Sequence, residues 1–288
     1  MVAATLLWSI AGIVTRRLDS ATGFEATFWR SAFNALALVV LLARLRGTSA
    51  LRRTLVGAGP TLWLSGACWA VMFTAFMVAI TMTTVANVLV TMALAPLLTA
   101  LLARVALGQR LPARTWSAIV AAGLGIGWMY AHELAALDDP RHLAGIATAL
   151  AVPIAAALNW TAIQRSRHGG ADLLAAVLIG AVLSSLVTLP FALPFHAGSH
   201  DIALLALLGV AQLAVPCLVS VAAARVLPAP EVALLSLLEI VFGVAWTWLG
   251  AGEAPGRHVL EGGVLVLGAL VANESIALRQ RRPVAGAA

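Results

Sequence analysis

The sequence predicts an all-α integral membrane protein: ten transmembrane helices in two inverted five-helix repeats, with both termini in the cytoplasm. Three observations predict it. The 288-residue chain is 61% hydrophobic and only 10% charged, with a mean hydropathy of +0.98, whereas a soluble domain carries roughly 25% charged residues. Apolar segments follow one another with connectors too short to house a soluble domain. Two of the segments, half a chain apart, share one plan.

The segments run over about 2–18, 24–43, 61–80, 84–104, 114–131, 143–164, 172–190, 201–222, 229–249 and 257–278. Their lengths and the lack of period-two alternation predict helices rather than a barrel. The first opens directly in "MVAATLLWSIAGIV" with no basic region before it, which reads as a helix and not as a cleaved signal. That run is short of the roughly 20 residues a span needs, so it continues toward Leu18 or lies inside the bundle. "RRLDSATG" and "RLRGTSALRR" bound the second segment as connectors. The third carries Trp69, Phe73, Phe76 and Met77 on one helical face. The fourth holds Asn87, Thr91 and Pro96 and stops at "GQRLPAR". The fifth contains "GLGIG", whose Gly123 and Gly127 have helix-packing spacing. No strand precedes those glycines, so they are not a dinucleotide fingerprint.

In the second half, the sixth segment carries Pro153, Asn159, Trp160 and Gln164. The eighth carries Gln212 and Pro216, and the ninth Ser236 and Glu239. A proline inside a helix removes a backbone hydrogen bond and kinks it, so Pro96, Pro153 and Pro216 read as hinges or as static kinks. Trp29, Trp63, Trp116 and Trp248 stand near segment ends and read as interface anchors.

Every one of the 18 basic residues is arginine. Alternating the segments from a cytoplasmic N-terminus leaves only Arg16, Arg17, Arg30, Arg141 and Arg257 on the outer side; the others fall inside, as the positive-inside rule requires. Asp19, Glu25, Asp201 and Glu253 then fall on outer connections. No basic run interleaved with aromatics lies outside the segments, which excludes nucleic acid as a partner. The histidines stand in connections, and His196 and His200 lie in a loop read as solvated, so no metal site is expected.

The repeat decides the architecture. "VANVLVTMALAPLLTALLARVALGQ" (Val85–Gln109) aligns without a gap with "APEVALLSLLEIVFGVAWTWLGAGE" (Ala229–Glu253). Val88 meets Val232, Leu94 meets Leu238, Gly108 meets Gly252 and Gln109 meets Glu253. An odd number of segments per half inverts the second copy, a plan common among transporters.

With its exits, each of these stretches resembles the EamA repeat of the drug/metabolite transporter superfamily. The resemblance rests on Pro96 and "LGQR" (Leu107 to Arg110), on "LLEI" (Leu237 to Ile240) with "AGEA", on Arg30 in "FWRSAFNALAL", and on Trp8 and Trp160 in "LLWSIAG" and "LNWTAIQ". Gln109 stands where the repeat usually has an acid, and Ile240 where it usually has proline. The resemblance implies two repeats, 1–142 and 143–288, around a central cavity, and transport by alternating access in a bacterial inner membrane. The substrates it implies include amino acids, among them aromatic ones for export, with nucleobases, other metabolites or drugs and lipid-linked sugars as alternatives. A monomer or weak homodimer in the lipid bilayer is expected, with no cofactor. No P-loop, catalytic dyad or HExxH is present, so neither ATP-driven transport nor an enzyme is expected.

Within that frame Trp8, Trp69, Phe73, Phe76, Met77 and Trp160 are candidates for an aromatic cavity wall. Asn87, Thr91, Asn159, Gln164, Gln212 and Ser236 are candidates for its polar lining, since uncharged polar groups in a membrane either bind ligand or join helices. A charge at the depth of Glu239 costs several kcal/mol by the lower estimates. It is therefore read either as a carboxyl that binds a substrate amine or couples protons, or as a structural acid carried neutral or hydrogen-bonded. Arg30 is read either as the partner of a carboxylate or as a side chain that snorkels to the interface. Pro96, Pro153, Pro216, Gln109 and Glu253 are candidates for gating or structure.

Overall fold

The computed structural model describes residues 1–15, 17–21, 23–83, 85–130, 140–166, 173–251 and 257–281. Among the described residues the chain is helical, with no strand. Its elements are α1 (Val2–Trp8), α2 (Ala11–Thr15), α3 (Gly23–Arg46), α4 (Thr48–Val56), α5 (Pro60–Met82), α6 (Val85–Met92), α7 (Ala95–Leu107) and α8 (Ala113–Tyr130). In the second half follow α9 (Pro140–Arg165), α10 (Leu174–Ala192), α11 (Ser199–Leu207), a π-helical stretch (Leu208–Ala214), α12 (Val215–Ala224), α13 (Ala229–Ser236), α14 (Leu238–Ala251) and α15 (Arg257–Arg281). Five continuous runs are long and apolar enough to cross a membrane: Gly23–Arg46, Pro60–Ile80, Leu143–Arg165, Leu174–Ala192 and Ser199–Ala224.

Three expected continuous helices are interrupted. The first breaks at Ser9–Ile10, the fourth at Ala93–Leu94 and the ninth at Leu237. The last two breaks coincide when the halves are superposed in sequence, because α6 and α13 start and end at aligned positions. Pro96 therefore kinks no helix interior. It stands in the first turn of α7, where a missing N–H costs least. The second break occurs without proline. There Ser236 Oγ donates to the Val232 carbonyl (2.8 Å), a back-bond that bends helices, and Glu239 in the first turn of α14 complements its free N–H groups. Pro216 lies inside the continuous Ser199–Ala224 run, where the wide π-helical turns before it accommodate its ring. Pro153 does lie inside its helix.

Two further expectations are corrected. The connector "RLRGTSALRR" contains α4, which turns off α3 at Gly47 with φ 82°, a left-handed value that favours glycine. In "GLGIG" the packing residue is Gly125: a Cβ there would lie 2.8 Å from the Gly262 carbonyl on α15, whereas Gly123 and Gly127 face open space. The α7 stop in "LGQR" is a left-handed Gly108 (φ 64°), with the Gln109 N–H returning to the Ala103 carbonyl at 3.4 Å.

The packing is paired between the halves. α3 lies on α10, α7 on α13 and α8 on α15. α5 packs on α9 and on α10, while α12 packs on α1 and the π-helical stretch on α3. Glycines allow close crossings: Gly66 and Gly180 between α5 and α10, and Gly209 against α3. Ser31, Ser184 and Thr74 link α3, α10 and α5 through shared hydroxyl bonds of 2.9 Å.

At one end of the bundle two acids lock two loops reciprocally. Asp201, in the first turn of α11, accepts the Asp19, Ser20 and Ala21 N–H groups (2.9–3.0 Å) and the Ser20 hydroxyl. Glu25, in the first turn of α3, accepts the His196 and Ala197 N–H groups (2.8–3.0 Å). Both side chains are buried.

Candidate functional site

A cavity of about 130 Å³ lies where the broken helices meet. Each surrounding helix gives it one stripe. α5 supplies Trp69, Met72, Phe73 and Phe76; α9 supplies Val152, Pro153, Ala156 and Trp160. The π-helical stretch and α12 supply Gln212, Leu213 and Cys217, and α13–α14 supply Ala233, Ser236, Leu237, Glu239 and Ile240. Trp8, Arg30, Met92 and Ala95 complete the lining. The wall is mostly apolar. Trp69 meets Trp160 edge-on at 5.6 Å and lies 5.5 Å from Phe73.

Four polar side chains face this space. Arg30 is 1% exposed, so it does not snorkel. One of its terminal nitrogens donates to the Phe73 carbonyl (3.1 Å), while its Nε is buried without a partner. Glu239 keeps part of its surface open on the cavity, and its charge and that of Arg30 attract one another. Gln212 is 4% exposed. Ser236 adds a hydroxyl whose proton is held by Val232.

The other sequence candidates lie elsewhere. Met77 turns away into a cluster with Ala26, Leu205 and Leu208; Met72, one turn earlier, takes the position expected of it. Asn159 accepts from Ser65 at 2.6 Å and joins α9 to α5. Gln164 accepts the Ala229 N–H at 2.7 Å and so ties α9 to the start of α13. Thr91 and Pro96 are buried off the cavity, as is Pro216. Gln109 lies in the turn after α7. The side chain of Asn87 and the whole of Glu253 lie outside the described residues. Of the tryptophans read as anchors, Trp63 and Trp248 are exposed, but Trp29 stacks among Phe28, Phe33 and Phe195.

Among the lining residues that sequence reasoning missed are Met72, Cys217, Ala233 and Leu237. The signal was present: 69, 72, 73, 76 and 233, 236, 237, 240 are both i, i+3, i+4, i+7 stripes. Almost every residue of these segments is apolar, so the stripe that lines space cannot be told by composition from the one that meets lipid.

Residues 1–131 and 143–273 each match the family model of the EamA-like transporter family. A solved structure, described only as the crystal structure of a protein, superposes with a TM-score of 0.78 at 18% identity, covering 97% of this chain and 96% of its own. That likeness bears on the fold. No curated protein matches the chain.

Proposed function

The chain belongs to the EamA-like transporter family of small-molecule membrane transporters, and on that premise we propose that it moves amino acids with apolar or aromatic side chains by alternating access. The observation that carries the proposal is the composition of the cavity. One guanidinium and one carboxylate face a space walled by three tryptophans and two phenylalanines. A zwitterion with a flat apolar side chain presents the complementary groups, and the aromatic wall supplies contact area without further charge. The volume of about 130 Å³ lies below the 300–1,000 Å³ of sites for drug-sized ligands. This favours a ligand of amino-acid size over a bulky drug or a lipid-linked sugar.

The same proposal includes ten spans in two inverted halves, with both termini in the cytoplasm of a bacterium. The paired packing of the halves, the coincident breaks after α6 and α13 and the arginine bias support it. The breaks supply hinges beside the cavity, as alternating access requires. Counterflow in liposomes preloaded with unlabelled amino acids tests the substrate class. Labelled phenylalanine and tryptophan are expected to accumulate, threonine weakly and adenine not at all. Accumulation of adenine alone, or of none of the four in folded protein, overturns the assignment.

A further inference from the structure

Gln212 stands on the π-helical stretch, a backbone form found frequently at functional sites. Its amide orientation is fixed by its neighbour. The break at Ser9–Ile10 ends α1 and leaves the Trp8 carbonyl without a helical partner. Gln212 Nε2 donates to that carbonyl at 3.2 Å. A carbonyl can only accept, so the amide nitrogen must point to Trp8 and the amide oxygen the other way. That oxygen is buried and has no hydrogen-bond partner, although the side chain lines the cavity. Buried polar atoms are nearly always paired, so an unpaired one in a residue that lines a cavity marks a missing donor. Glu239 and the Ser236 oxygen are further acceptors that line the same cavity.

We propose that Gln212 is a specificity-determining residue: its amide oxygen, with the Glu239 carboxylate, receives the protonated amine of the substrate. This rests on the amino-acid reading above and assigns one end of the ligand. The amine brings several N–H donors, and Gln212 and Glu239 supply two acceptors at the cost of a single buried charge. The site then prefers a ligand with an amine over the same ligand without one, because losing the donor leaves buried acceptors unpaired. The cation comes from the substrate, and the substrate carboxylate falls to Arg30, which lines the same cavity.

The test uses the purified full chain in lipid nanodiscs and three separate probes: L-phenylalanine, phenethylamine and 3-phenylpropionate. Binding is read as the concentration-dependent rise in apparent melting temperature. The wild type is expected to bind both amines and to bind 3-phenylpropionate at least tenfold more weakly. Gln212→Leu is expected to lose at least tenfold in amine affinity. Gln212→Glu keeps an acceptor toward the cavity and is expected to bind the amines as well as the wild type or better. If Gln212 merely braces Trp8, Gln212→Glu loses the amide donor and falls with Gln212→Leu, which overturns the proposal. Equal amine binding by Gln212→Leu and wild type overturns it too. A wild type that binds phenethylamine but not phenylalanine keeps the amine site and refutes the amino-acid reading; one that binds only 3-phenylpropionate refutes both.

Discussion

Asp201→Ala measures what the reciprocal lock of the two loops is worth. The carboxylate is 1% exposed and accepts three backbone N–H groups and one hydroxyl, all at 2.9–3.0 Å. Hydrogen bonds to a charged group contribute roughly 1.5–3 kcal/mol each, but only when nothing replaces them. The loop itself covers the carboxylate, with no deep shell of protein around it, so in the alanine variant water reaches the freed N–H groups. After that discount the loss is about 2–3 kcal/mol in total. For a chain of this size it corresponds to a fall in apparent melting temperature of roughly 5–10 °C. Asp201→Asn keeps acceptor oxygen but not charge and is expected to fall about half as far. Glu25 holds the partner loop at 2.8–3.0 Å, so Glu25→Gln with Asp201→Asn joins the same two loops in a double-mutant cycle. Once one clamp has opened the other has less to hold, so the pair is expected to lose less than the sum. Thermal unfolding in detergent reads all of these. An unchanged melting temperature for Asp201→Ala, or strict additivity in the cycle, refutes the reasoning.

Gly209→Val is expected to lower the melting temperature through overpacking of roughly 1–3 kcal/mol or more, because its Cβ would lie 2.6 Å from Phe33 Cβ and 2.7 Å from the Arg30 carbonyl oxygen. Gly12→Ala, which meets nothing within 4 Å, is the control. Arg30→Gln is expected to cut phenylalanine counterflow at least tenfold while the protein still folds. Its Nε is already unpartnered, and wild-type flux in this variant would remove Arg30 from the substrate site. Glu239→Gln separates the two readings of that acid: a coupling carboxyl loses the pH response of uptake, whereas a structural one keeps both rate and response.

Much of the fold is legible in the sequence, because a lipid environment leaves few alternatives to helices and apolar runs mark them. The alignment of Val85 with Ala229, at an offset of 144 residues, anticipates two helices that start in register. It does not anticipate that both break in the middle, since Ala93–Leu94 and Leu237 look like ordinary helix interior. The site was read less well for a related reason. Periodicity assigns a face but not what that face meets, so Met77 packs into a neighbouring cluster while Met72 lines the cavity. Amides show the same ambiguity. Asn159 and Gln164 joined helices while Gln212 reached the cavity, and only the positions of Ser65, Ala229 and the Trp8 carbonyl distinguish them. The sequence leaves Arg30 between a carboxylate partner and a snorkelling side chain because its burial depends on α5 and on the π-helical stretch, both distant in sequence.

The most direct test of the central claim is access to the cavity from both sides. Ala233 lines it and is buried, and the native thiols Cys68 and Cys217 can be changed to serine. Ala233→Cys in that background is labelled with a membrane-impermeant thiol reagent in sealed vesicles of each orientation, with and without phenylalanine. The account predicts labelling from both sides and slower labelling in phenylalanine. Labelling from one side only, at a rate phenylalanine leaves unchanged, would contradict it.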